Sequence, residues 1–403
     1  MTTSDLMTRW EQRAVDDIRL RRAREDDWDT LYDCYQRAFG GVRAKDVDAW
    51  KRQFLLEDLV VAEDVSDPDA PFVAGTMAVL RMTVSAPGGA QLRVAACAQA
   101  LVVTTHQKRG LYAKLQAECM TIAMAAGADV FAAMPGPGAT YSYVGVAGHT
   151  RRLRIDRARA KLLVRVDDTA QAREMRPGAA RPLMREIYDR WQHATPGALS
   201  RGEHYWPATY DDDSFAIVHP DGYVLYDLVG KTVLVHDFCA VTVAAHRELL
   251  CCLLGHGEYT EILLDTAADD PTPLLLEDPR AAAVTAVDPG VWMWILNPAN
   301  AFQRRDYRAD FHGVVEIADP YGLMPGLFTL EVSAGQGSWR PAPEGARPDL
   351  RFGPVELSSI YFGAHTPLEL HRAGRVEELT PGALTALDAA LAPARRPFNI
   401  TPF

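Results

Sequence analysis

The stretch Gln99–Tyr112, "QALVVTTHQKRGLY", limits what this chain can fold into more than any other segment. The run from Ala95 to Val103 is apolar without regular polar alternation, as in a strand covered on both faces. The period then changes: Leu111, Leu115, Cys119 and Ile122 fall on one face of a helix that runs to about Ala125. Between the two lies a short polar turn, Gln107-Lys108-Arg109-Gly110. A turn of this kind leaves backbone N–H groups unpaired at a helix start, where they and the helix dipole attract phosphate. Gly110 lets a ligand approach the backbone closely, and Lys108 and Arg109 add positive charge.

Around this stretch the elements follow the order β-α-α-β-β-β-α-β. Ile18–Arg21 reads as a short strand. "AREDDW" then starts a helix with Leu31, Cys34, Tyr35, Ala38 and Phe39 on one face, ended by Gly40-Gly41. A second helix is expected around Asp46–Leu55, and strands at Leu59–Glu63, Pro71–Thr83, Leu92–Thr104 and Val130–Met134. From about Arg152 a similar order returns. "RAKLLVRVDD" reads as a strand and "RPLMREIYDRWQHATPG" as a helix; "SFAIVHPDGYVLYDLV" and "KTVLVHDFCAVT" give strands, "AAHRELLCCLLGHG" a helix and "EILLD" a strand. This is the pattern of an internal duplication. In the second copy "VTVAAH" replaces the polar turn, so no second phosphate site is expected. The remainder, from "VWMWILNPANAF" onward, gives strands broken by Pro and Gly and then a strand and a helix.

Composition excludes several classes. A formal charge of −11 argues against nucleic acid as the main partner and leans towards a cationic substrate. Cys34, Cys97, Cys119, Cys239, Cys251 and Cys252 form no C-x-x-C pair and mostly sit in apolar runs. They read as free buried thiols in a reducing compartment, with no metal site. His219, His236 and His256 have no carboxylates at ligand spacing and read as structural. No apolar leader and no run of about 20 apolar residues is present, so no membrane span and a cytoplasmic location are expected. No G-x-S-x-G elbow supports a serine hydrolase.

"LVVTTHQKRGL" resembles the pyrophosphate loop of the GNAT acetyltransferases, R/Q-x-x-G-x-G/A, with Gln107 and Gly110 at the first and fourth positions. Tyr112 stands where that superfamily usually has Gly or Ala. With "VGVAGHT", "HPDGYVLY", "SIYFGAH" and the terminal Phe403, nearly the whole chain resembles the Eis-like (enhanced intracellular survival) N-acetyltransferases. The resemblance implies an α/β (α+β) fold: a GNAT domain over 1–151 and a second, GNAT-like domain without the CoA loop over 152–290. A sterol-carrier-protein-like domain over 291–403 would follow, its tail in the active site. It implies acetyl-CoA as cosubstrate, an amine as acceptor, no metal and a homo-oligomer, hexameric in the family.

The same resemblance assigns site residues. Gln99, Ala100, Leu101, Val102, Gln107, Lys108, Arg109, Gly110, Leu111 and Gly136 would bind the cosubstrate. Tyr141, with Tyr143 as the nearby alternative, would protonate the departing thiolate, and the α-carboxylate of Phe403 would orient or deprotonate the amine. Trp28, Phe39 and Trp50 match aromatic positions of the acceptor pocket. The aminoglycoside-acetylating members carry an aspartate after the first helix and a glutamate beside the terminal Phe; here those positions are Gly41 and Pro402. An aminoglycoside would lose two charge-assisted contacts of roughly 1.5–3 kcal/mol each, unless Asp46 or Asp48 compensates. The competing reading is a non-catalytic scaffold that binds CoA or a lipid.

Overall fold

The computed structural model describes residues 17–38, 40–41, 43–134, 144–164, 166, 171–320, 322 and 324–403. The first region contains β1 (Ile18–Arg22), α1 (Trp28–Ala38), α2 (Val47–Lys51), β2 (Leu59–Asp64), β3 (Phe72–Ser85), β4 (Gln91–Val102), α3 (Leu111–Ala125), β5 (Val130–Ala133) and β6 (Gly145–Val146). The second contains β7 (His149–Asp156), β8 (Arg173–Met175), α4 (Pro177–Ala194), α5 (Tyr205–Thr209), β9 (Phe215–His219), β10 (Gly222–Val229), β11 (Thr232–Ala240), α6 (Val243–Leu254), β12 (Glu261–Thr266) and β13 (Ala282–Pro289). After β14 (Trp292–Ile295) and α7 (Pro298–Gln303) come β15 (Phe311–Ile317), β16 (Gly326–Ser333), β17 (Gln336–Pro341) and β18 (Leu350–Phe352). α8 (Pro354–Phe362), α9 (Pro367–Arg372), β19 (Glu377–Glu378) and α10 (Ala383–Leu391) complete the chain.

These strands form three sheets, ordered β1-β2-β3-β4-β5-β14-β6, β13-β7-β12-β11-β10-β9-β8 and β17-β16-β15-β18-β19. In the first sheet only β4 and β5 run parallel, joined through α3; the pairs β1/β2, β2/β3, β3/β4, β5/β14 and β14/β6 are antiparallel. Alternation along β2 and β4 explains why this sheet stays put. Val60, Ala62, Ala95 and Cys97 face α3, with its Leu115, Cys119 and Ile122, while Leu59, Val61 and Ala98 pack with Trp28, Leu31 and Trp50. Further along that second face, Val84, Leu92, Val94 and Ala96 share one core with Ile360, Tyr361 and Phe362 of α8 and with Val315 and Leu330 of the third sheet.

Two sequence expectations need correction. The first strand of the second region is β7, "HTRRLRID", rather than "RAKLLVRVDD". Leu153 and Ile155 are buried while Arg151, Arg152 and Arg154 are exposed, a period of two that the arginines conceal. Downstream, Leu162 makes only an isolated bridge to Leu276. Trp292–Ile295, grouped by sequence with the C-terminal region, hydrogen-bonds back into the first sheet between β5 and β6. The first and third regions are therefore stitched together. At Gly145 a Cβ would lie 2.1 Å from the Val355 carbonyl, so only glycine lets α8 approach β6 this closely. No helix among the described residues is long and apolar enough to cross a membrane.

Candidate active site

The site begins where two parallel strands part. β4 and β5 pair only from Val94↔Val130 to Cys97↔Ala133, after which β4 continues alone on that side to Val102. On its other edge the register with β3 slips between Thr76 and Ala78, so Met77 faces both Gln99 and Ala100. This bulge holds Gln99 at φ 53°, and the Thr76 hydroxyl donates to the Gln99 carbonyl at 2.9 Å. A non-glycine residue in the left-handed region costs about 1–3 kcal/mol and persists only where its surroundings fix it. Beyond the bulge Ala100, Leu101 and Val102 are half-buried, a strip of β4 backbone beside the cleft where, among the described residues, no strand pairs with it on the β5 side.

The turn after β4 is pinned from behind. His106 is buried, its Nε2 2.8 Å from Asp64 and its Nδ1 2.8 Å from the Thr105 hydroxyl. The Ser66 amide and this histidine hold the Asp64 carboxyl down to about 2. Gln107, Lys108 and Arg109 are exposed, and Lys108 takes φ 63°. Gly110 is the N-cap of α3 at φ 81° and offers no side chain to the first-turn amides; a Cβ placed there would meet nothing within 4 Å. An uncapped helix start beside two cations, with empty space before it, suits a pyrophosphate. The side chain of Leu111 is buried beneath the helix, so its place at the turn is one of backbone.

The chain's end reaches the same cleft from the other side of the molecule. The second region anchors it: the Phe398 amide donates to Pro196 at 2.9 Å and the Leu199 amide to Asn399 at 3.1 Å. Thr401, fully buried, meets the Tyr188 hydroxyl at 2.5 Å and Arg201 Nε at 2.9 Å. Arg201 is itself buried against Asp237 at 2.5 Å and enclosed by Tyr188, Tyr205 and Trp206, with ring centroids 4.2–5.0 Å from its guanidinium carbon. Burial opposes its charge, yet Asp237 and the surrounding tyrosines hold its pKa well above the ordinary arginine value. The fixed segment delivers Phe403 onto Trp28, Trp50 and Ala208, where the first and second regions meet.

A cavity of about 370 Å³ opens there. Tyr35, Trp50, Phe54, Tyr205 and Phe403 form its aromatic wall, Gln99 its floor at the bulge, and Arg43 and Lys45 its charged rim. Of the expected acceptor residues, Trp50 lies on the wall; Trp28 stands behind it, edge-on at 6.0 Å, within the core. Pro402 also lines the cavity, while Gly41 is exposed at φ 87°. Asp46 does not compensate for them: its carboxylate caps α2 by accepting from the Ala49 amide at 2.9 Å. Neither Asp46 nor Asp48 lines the cavity. Phe39, Gly136, Tyr141 and Tyr143 lie outside the described residues.

Cys97 on β4 and Cys119 on α3 are buried between strand and helix, and burial pushes the Cys97 thiol up to about 12, which leaves it protonated and poorly nucleophilic. Cys251 is exposed, an exception to the expectation of buried thiols. Two of these second-region histidines, His219 and His236, do have carboxylate partners, contrary to their sequence spacing. His236 is 2.8 Å from Asp227 and His219 3.6 Å from Glu248, contacts made across strands and onto α6. Among the described residues no group of three potential metal ligands is present. Sequence reading also missed Arg201, although an arginine between the apolar "PGAL" and "HYW" was the available signal.

Comparison with known proteins agrees with this geometry. Residues 19–148 and 197–295 each match a family described as an acetyltransferase (GNAT) domain, and residues 298–400 a sterol carrier protein domain. The N-acetyltransferase Eis of Mycobacterium tuberculosis is 30% identical over 393 residues, covering 91% of this chain and 95% of its own. An uncharacterized N-acetyltransferase of Streptomyces griseus is 29% identical over 381 residues, covering 85% of this chain and 91% of its own. The crystal structure of Eis1 from Mycobacterium abscessus superposes with a TM-score of 0.82 at 25% identity, covering 96% of this chain and all of that one.

Proposed function

The chain belongs to the Eis family of GNAT N-acetyltransferases, and from that premise we propose that it transfers an acetyl group from acetyl-CoA directly to an amine bound in the aromatic cavity. The observation that carries this reading is the meeting of Phe403 with Gln99 in one cavity, on the strand that leads to the open turn at Gly110. Two distant ends of the sequence converge there on the features the reaction needs.

Bound acetyl-CoA supplies the acetyl group as a thioester. The backbone of Ala100 to Val102 holds the pantetheine arm along the unpaired edge of β4, and the amides of Gln107 to Leu111 hold the pyrophosphate, with Lys108 and Arg109 neutralising its charge. An amide of Ala100 or Leu101 polarises the thioester carbonyl. The Phe403 carboxylate orients the amine and accepts its proton, directly or through water, as the N–C bond forms and the C–S bond breaks. Tyr141 gives its phenolic proton to the leaving sulfur. No step uses a cysteine, in keeping with the burial of Cys97 and Cys119.

We assign the three functional units to residues 1–151, 152–290 and 291–403, with β14 as the return of the chain to the first, and the assembly to a hexamer. The sterol-carrier-like region carries no lipid assignment, since fold likeness alone does not confer one. The test is thiol release from acetyl-CoA with a panel of amines, beside thermal unfolding with acetyl-CoA alone. The reading expects stabilisation by acetyl-CoA and amine-dependent release that Tyr141→Phe abolishes. Stabilisation with no release on any amine would make the protein a CoA-binding scaffold.

A further inference from the structure

The acceptor cavity is charged in the opposite sense to the chain as a whole. The protein carries a formal charge of −11, yet no Asp or Glu side chain lines this cavity among the described residues, whereas Arg43 and Lys45 do. The segment that bears them is fixed. The Ala44 amide donates to the Tyr32 hydroxyl at 3.2 Å, the Lys45 amide to the Ala208 carbonyl at 2.9 Å, and Lys45 Nζ pairs with Asp211 at 3.0 Å. Arg43 has no ion-pair partner among the described residues, although it sits at the rim of an aromatic cleft. Beside it Trp50 lines the cavity with its ring, while its indole N–H is buried away from solvent.

From these groups we infer that the natural acceptor is an amine that also bears a carboxylate, such as an amino acid with an apolar or aromatic side chain; the inference rests on the N-acetyltransferase reading of the site. The cavity is a complementary dipole for such a molecule. The Phe403 carboxylate takes the amine, Arg43 takes the substrate carboxylate through its fork of N–H groups, and the aromatic wall takes the side chain. Arg43, exposed and without an ion-pair partner among the described residues, disfavours a polycation at this rim, where Lys45 is already paired with Asp211.

The experiment compares matched acceptors that differ only in the carboxylate: phenylalanine with 2-phenylethylamine, tryptophan with tryptamine, and leucine with 3-methylbutylamine, with kanamycin as the polycation. Thiol release gives kcat/KM for each, and calorimetry gives the binding of each acceptor to the free protein. The expected result is at least a ten-fold preference for the carboxylate member of a pair. Arg43→Gln, an exposed rim change that leaves the unfolding temperature in place, should cost that member ten-fold or more and erase the preference within each pair. Equal use of both members, or kanamycin as the best acceptor, overturns the inference while leaving the enzyme reading intact. Absence of release with every acceptor, beside stabilisation by acetyl-CoA, overturns the enzyme reading and the inference with it.

Discussion

The first and second regions hold the same device in two states. In each, a central strand pairs in parallel with its neighbour over a few residues and then parts from it: Val94–Cys97 of β4 with Val130–Ala133 of β5, and Thr232–Leu234 of β11 with Glu261–Leu263 of β12. In each, a register slip with the preceding strand accompanies the parting, and a helix follows. The difference lies at the helix start. α3 begins at Gly110, left-handed and without a side chain, after two cations. α6 begins at Thr242, extended, whose hydroxyl accepts from the Ala245 amide at 3.2 Å, and the cleft beside it is lined by Asp265, Asp269 and Asp270. One copy leaves its helix-start amides without a side-chain cap; the other caps one of them and sets three carboxylates in the cleft beside it. The second copy instead contributes the buried Arg201–Asp237 pair that secures the tail. Duplication kept the architecture, and a handful of residues decided which copy does chemistry.

Breaking the tail anchor should have the largest effect. Arg201→Met leaves Asp237 buried and unpaired, at a cost of about 3–5 kcal/mol in unfolding free energy. The double variant Arg201→Met with Asp237→Leu should recover most of that stability. It should not recover kcat, because Thr401 still lacks its Arg201 contact and Phe403 is held less closely; denaturant unfolding and thiol release, run side by side, check both halves.

Closing the open copy comes next. Gly110→Asp adds a β-carbon at a left-handed residue and a negative charge where phosphate should sit, so it should raise KM for acetyl-CoA by at least about ten-fold and abolish acetyl-CoA stabilisation. The acceptor's affinity should not move. An unchanged acetyl-CoA KM would mean that the open turn is not what separates the two copies.

A smaller effect concerns the contact between the second and third regions. His149 and His365 stack edge-to-face at 4.7 Å, and His365 also bonds the Ser359 hydroxyl at 2.7 Å. Burial holds both below the ordinary histidine value; mutual repulsion adds to this at His149, while Glu369 opposes it and Arg396 and Arg375 reinforce it nearby. The unfolded chain therefore takes up protons first as pH drops below ~6.5, and stability present above that value is lost as pH falls through the depressed folded values. The unfolding temperature should fall between pH 7 and pH 5, and less steeply in His365→Gln. Equal slopes would remove this pair from the account.

The smallest effect is expected in the copy already shut. Thr242→Ala should cost about 1 kcal/mol through the lost cap and leave kcat and both KM values unchanged. A change in activity would show that the second copy does more than hold the tail.

What the sequence conveyed, and what it concealed, follows from the range of the interactions. The turn at Gln107–Gly110 and the buried face of α3 are local, set by period and by one glycine, and were legible. β7 was not, because Arg152 and Arg154 on its exposed face, with Arg151 ahead of Leu153, mask the alternation of Leu153 and Ile155. The return of Trp292–Ile295 to the first sheet depends on partners more than 150 residues away, and nothing in "VWMWI" names them. The arrival of Phe403 beside Trp50 was implied by family resemblance alone; no local pattern in the tail encodes it. The chain's net charge does not describe the cavity, whose lining holds Arg43 and Lys45 and no Asp or Glu side chain among the described residues, with Asp211 against Lys45.

The central claim is that the chain's last carboxylate works in the first region's cleft, and a chain ending at Pro402 tests it most directly. With its fold checked by unfolding temperature, this variant should bind acetyl-CoA as the full chain does, measured by thermal stabilisation, and lose at least ~100-fold in kcat by thiol release. Phe403→Leu, which keeps a terminal carboxylate in place, should retain most of the rate. A shortened chain that turns over at the full rate would contradict the account.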